Sequence, residues 1–162
     1  MTTKEVIKNT IDTGQFILTT YLSDMADADL LVRPVPGANH AAWQLGHLVA
    51  SEFDMMSKLG YRMPALPDGF AESYTKETTS SDDPAKFHTK EQYVAWLQEQ
   101  RGGTLAALEG AAEADLDKPS PESMRDYAPT VGVAFNLIGI HLNMHAAQLA
   151  VLRRKLDKPV LI

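Results

Sequence analysis

The chain has 162 residues and a mass of 17.8 kDa, the size of one domain, and its 44% hydrophobic and 22% charged residues exclude disorder as its main state. It has no cysteine, which excludes a disulfide framework, a thiolate zinc site, an iron–sulfur cluster and a cysteine nucleophile, and fits a reducing compartment. The net charge is −6 and the only dense basic cluster is Arg153-Arg154-Lys155, read as a helix-end cluster, so no nucleic-acid partner is expected.

The first ten residues lack the apolar core of a signal segment, and no apolar run approaches the roughly 20 residues that span a bilayer. The expectation is a cytoplasmic protein with no membrane partner. Ile7, Ile11, Gly14, Leu18, Tyr21 and Met25 follow steps of four and three, which predicts a first helix with one buried stripe. Pro34, Pro36 and Gly37 break it. Asn39 is the predicted N-cap of a second helix running from about His40 to Leu59, with Trp43, His47, Ala50 and Asp54 on one face. Gly60 ends it.

Residues 61–88 contain Pro64, Pro67, Gly69, Pro84 and the polar run from Thr78 to Asp83, with no clear period. A connection of this length inside a compact domain is a crossover or a functional segment, and Met63, Leu66, Phe70 and Tyr74 predict that part of it packs on the helices. Thr89 and Gln92 form a capping-box pattern for a third helix, whose Tyr93, Leu97, Gln100, Thr104, Leu108 and Ala111 have bundle spacing. Gly102-Gly103 weakens that helix by about 1 kcal/mol per glycine unless a neighbour packs closely there. After a proline-bearing connection from Asp117 to Pro129, the last helix runs from about Thr130 to Leu156, and Phe135, Ile138, Leu142, His145, Leu149, Leu152 and Leu156 form its apolar stripe. No segment alternates as a strand, and nothing repeats. The reading is a single all-α domain over residues 1–162, a four-helix bundle with a long crossover between helices two and three.

Chemistry concentrates in the histidines. His141 and His145 stand at i and i+4, with Cβ atoms about 5–6 Å apart, close enough to grip one metal ion. They share the apolar stripe of their helix, so they face inward, where neutral imidazoles need partners for their ring nitrogens. His47, mid-helix and beside Gly46, is the leading third ligand, the glycine allowing a neighbouring helix to approach. His40 lies about 10 Å further along the axis and reads as a first-turn or surface residue, and His88 reads as solvated. Glu52, Asp54 and Gln148 are the candidates to support a metal-bound ligand or act as a base, and Trp43, Met144 and Tyr74 are the candidates to line a pocket. Three imidazoles suit zinc, nickel, iron or copper, and a three-histidine site keeps an open position for water or substrate, whose bound water ionises near pH ~7. The alternatives are a non-catalytic binding module and a bundle whose histidines lie apart.

The segment from His141 to Arg154, followed by Lys158-Pro159, resembles the last helix of the DinB-like metalloprotein superfamily, and Asn39 to Leu48 resembles its second helix. Leu66 to Phe70 and Asp83 to Phe87 are similar to its crossover pieces. Ala147 departs from the glycine that often precedes the glutamine in that family. The resemblance implies a four-helix bundle with a long crossover, a homodimer, and a divalent zinc, nickel or iron ion held by His47, His141 and His145. It further implies a metal-dependent enzyme acting on a small-molecule substrate. The first expectation is a thiol-dependent transferase using a low-molecular-weight thiol. The alternatives are a metal-dependent hydrolase and a non-catalytic, stress-linked metal or small-molecule binder.

Overall fold

Four residues with side-chain acceptors start the four long helices. In a computed structural model describing residues 1–162, these are α1 (Thr3–Leu22), α2 (Ala41–Lys58), α3 (Lys90–Gly110) and α4 (Val131–Lys155), joined by connections that contain only short 3-10 turns. Thr2, Thr89 and Thr130 cap α1, α3 and α4, and the box predicted at Thr89 and Gln92 is present. The cap of α2 is His40 rather than Asn39. Its Nδ1 accepts the Trp43 amide proton at 3.1 Å, so its Nε2 carries the proton and donates to the Ser81 carbonyl at 3.1 Å. His40 is therefore fully buried, not a surface residue. No helix is long and apolar enough to cross a membrane.

Contacts fix the topology. Gly14 lies against Gly139 and Leu142, and Arg153 donates to the Tyr21 carbonyl, so α1 and α4 are parallel neighbours. Gln44 meets His145 while His47 meets His141, so α2 runs antiparallel to α4. Lys4 reaches the Glu109 carbonyl and Lys90 the Met25 carbonyl, so α3 runs antiparallel to α1. It follows that α2 and α3, which also pack together, are parallel. Parallel neighbours cannot be joined by a short turn. The chain must return along the bundle, about 27 Å for the 18 residues of α2, and this is why the crossover is long.

The crossover packs as predicted, with Met63, Phe70 and Tyr74 buried. The space beside Gly46 is filled by the Tyr74 ring of the crossover, not by a neighbouring helix. His88 is only half exposed, packed against Phe70, Tyr93 and Trp96. Gly103 faces Pro64 at a distance that admits no methyl group, while Gly102 faces open space. Three side chains next to α2 strap the crossover down. The Arg33 guanidinium donates to the Thr79, Ser81 and Ala38 carbonyls, His40 donates to Ser81, and Trp43 Nε1 donates to the Thr78 hydroxyl at 3.0 Å.

The apolar core falls into two clusters along the bundle. Between their residues on α2 and α3 lies a buried polar layer, in which Glu52 accepts from Arg101 at 2.9 Å and from Thr104 at 2.6 Å. At the other end Arg153 is fully buried against Tyr21, Asp24 and the Pro159 carbonyl, which leaves only Arg154 and Lys155 of the basic cluster facing solvent. The close approach of α1 and α4 depends on glycine: a Cβ at Gly139 would lie 2.7 Å from the backbone of Thr10 and Ile11. Gly139→Ala is therefore expected to destabilise by about 1–3 kcal/mol through overpacking. Thermal unfolding should show the melting temperature falling by several degrees.

Candidate metal centre

α2 and α4, running antiparallel, bring three histidines together. One ring nitrogen of each of His47, His141 and His145 lies within 4.8 Å of the others. The Nε2 atoms of His141 and His145 are 3.1 Å apart, and the His47 ring is 5.1 Å and 5.5 Å from the other two, centre to centre. His145 is buried, and His47 and His141 are half-buried, so the group is open on one side.

The tautomer of His145 follows from its neighbours. The Gln44 amide nitrogen donates to the Asn39 carbonyl at 2.7 Å, which can only accept. The Gln44 carbonyl oxygen therefore faces His145 Nδ1 at 2.9 Å, and Nδ1 must carry the proton. Nε2 is left as a bare lone pair directed at His141. Burial, then the neighbouring rings, pushes His145 down to about 3 and His141 down to about 4, so both are neutral at pH 7. Burial also lowers His47, against a smaller opposing pull from the Tyr74 backbone carbonyl. Neutral imidazoles with converging nitrogens, one locked in the right tautomer by an outer amide, are what a divalent cation requires.

The other sequence-predicted residues are dispersed. Glu52 is committed to Arg101 and Thr104 in the buried layer. Asp54 is exposed and pairs with Lys58 at 2.6 Å. Gln148 is exposed, as is Ala147. Trp43 stacks on His47, with ring centres 4.9 Å apart and planes within 10°, and is buried. Tyr74 is buried with its hydroxyl 2.7 Å from that of Tyr93, and burial raises its pKa far above the usual phenol range. Met144 is 57% exposed. Besides Gln44, the Ser51 hydroxyl stands at the rings, 3.4 Å from His47. Sequence reasoning missed Gln44. An amide three residues before His47, in an otherwise apolar stretch of helix, was its only signal. Gln44→Ala is expected to weaken divalent-cation binding by about 10–100-fold, read by competition with a chromophoric chelator, while helix content stays unchanged.

The fold resembles that of solved proteins. A conserved protein from Enterococcus faecalis superposes with a TM-score of 0.67 at 17% identity, covering 98% of this chain and 99% of that one. YfiT from Bacillus subtilis, described as a probable metal-dependent hydrolase with an unusual four-helix bundle topology, superposes with a TM-score of 0.62 at 21% identity, covering 96% of this chain and 89% of that one. No curated protein matches the sequence. The sequence profile of the DinB superfamily matches residues 11–149, most of the chain, and spans all three histidines. The chain belongs to the DinB superfamily.

Proposed function

We propose that the protein is a metal-dependent enzyme that holds a divalent ion through His47, His141 and His145 and catalyses transfer of a low-molecular-weight thiol to a small electrophilic substrate. A bound cation would supply Lewis acidity, holding a thiol in its ionised, nucleophilic form at neutral pH. The chain's own residues fix the geometry. Gln44 holds the His145 ring by its Nδ1–H. Trp43 stacks along His47 and limits its rotation. The half-exposure of His47 and His141 leaves room for a ligand on the solvent side.

One observation favours transfer over hydrolysis: the nearby carboxylates are committed elsewhere. Water activation profits from a base within about 3 Å of the open position. Glu52 is locked to Arg101, and Asp54 lies about 10 Å along α2 from His47, paired with Lys58. A thiol, being more acidic than water, needs no such base. The YfiT description supports hydrolysis as the second reading.

The test is a panel of low-molecular-weight thiols with electrophilic acceptors, set beside a panel of esters and amides. Metal-dependent thiol transfer that is lost in His141→Ala is the expected result. Metal-dependent hydrolysis with no thiol transfer overturns the first reading in favour of the second.

A further inference from the structure

Arg101 is 3% exposed, yet its Nε and Nη1 have no partner, and only Nη2 reaches Glu52. Buried donors of this kind cost free energy until something accepts from them. Arg101 also lines a groove of about 490 Å³ between α1 and α3. Beside that groove is a chamber of about 10 Å³, which shares Gln15, Thr19, Gln98 and Arg101 with it and ends on Leu18 and Leu142. A chamber of that size holds one oxygen atom. The groove itself lies within the range of small-molecule sites, ~300–1,000 Å³. Its rims are unusual for a helix pair. Gly102 on α3 has open space where a Cβ would stand, so no side chain closes the groove there. That glycine weakens α3 without a close neighbour to require it. From α1, Phe16 lines the groove with its ring 63% exposed.

We propose that the groove is a binding site for an uncharged aromatic carboxamide, with its carbonyl oxygen in the chamber against Arg101 and its ring along Phe16. Charge selects this class. Burial works against the Arg101 charge, and the Glu52 and Asp12 carboxylates both support it. Asp12 lines the groove as well. An anion entering here would meet two carboxylates for one guanidinium. A cation would leave the Arg101 donors without an acceptor. An uncharged carbonyl oxygen accepts from Arg101 without repulsion, and the amide N–H of the same ligand is a donor of the kind Asp12 can accept. The aromatic part follows from Phe16, whose exposed ring offers a stacking surface. None of the three clustered histidines lines the groove or the chamber, so this proposal does not rest on the metal reading.

Nuclear magnetic resonance titration of the isotope-labelled full chain with benzamide tests it. Benzamide is expected to shift the Arg101 Nε–H signal and the side-chain amide signals of Gln15 and Gln98, with a Kd of about 1 mM, ordinary for a molecule of this size. Benzoate, of the same shape but charged, should bind at least about 10-fold more weakly. Gly102→Leu sets a side chain over the groove and favours the helix, so benzamide binding should weaken at least about 10-fold while the melting temperature holds or rises. Gly110→Ala, on the same helix but outside the groove, should bind as the wild type does. No shift of those three signals at roughly 20 mM benzamide overturns the proposal and leaves the chamber to a water molecule. Benzoate binding as tightly as benzamide overturns the selection by charge, and undiminished binding in Gly102→Leu overturns the placement.

Discussion

His145→Ala is expected to lower the affinity for zinc by about 10²–10³-fold, the share of one ligand in a binding free energy of roughly 10–16 kcal/mol spread over a full ligand set. His145 should matter most of the three, because it alone is buried and has its tautomer fixed, by Gln44. His47→Ala and His141→Ala should weaken binding in the same sense, by somewhat less, since both rings are half exposed. Competition titration with a chromophoric chelator, run beside circular dichroism to verify folding, measures all four proteins. Equal metal content in wild type and the three variants would remove the site.

The largest effect on stability is expected at the buried polar layer. Arg101→Met removes the only cation beside Glu52, whose carboxyl burial already pushes above the ordinary range. Leaving that group unpaired should cost about 3–5 kcal/mol. The loss should depend on pH. With no guanidinium to hold it ionised, folded Glu52 keeps a proton that the unfolded chain releases above the ordinary glutamate value of 4.5. The variant is therefore least impaired below that value, and its stability falls as pH rises toward the folded pKa, by up to about 1.4 kcal/mol per unit. Urea unfolding at pH 5 and pH 7 should show a larger deficit at pH 7. Combining Glu52→Leu with Arg101→Met should restore most of the loss, because Arg101 Nε and Nη1 already lack partners and the pair is incompletely satisfied. A double variant as weak as the single one would refute this account.

The helices and the three histidines were legible because both rest on local periodicity. Ile7, Ile11, Gly14, Leu18 and Tyr21 repeat at helical spacing whatever they pack against, and His141 and His145 share a face in any helix. What failed depended on partners distant in sequence. Gln44 acquires its role only when α2 runs antiparallel to α4 and presents it to His145. Glu52 read as a site candidate because nothing local reveals that Arg101, 49 residues later, meets it. Gly46 announced a close neighbour correctly, but only the return path of the crossover makes that neighbour Tyr74. His40 and His88 looked solvent-facing for the same reason, since the segments that cover them come from the crossover.

The strap over the crossover grips mainly backbone. Arg33 and His40 bind the carbonyl oxygens of Thr79 and Ser81, atoms that every residue type supplies. Residues 79 to 81 are thus held through backbone, while side chains fasten the flanks, where the Thr78 hydroxyl accepts from Trp43 and the Asp82 carboxylate from Arg33, and Trp43 links the segment to the ring of His47. Side chains at 79 to 81 are free to be exchanged without unfastening it. The scaffold thereby fastens this stretch without fixing its side chains, so its surface can be altered, or redesigned, at little thermodynamic cost.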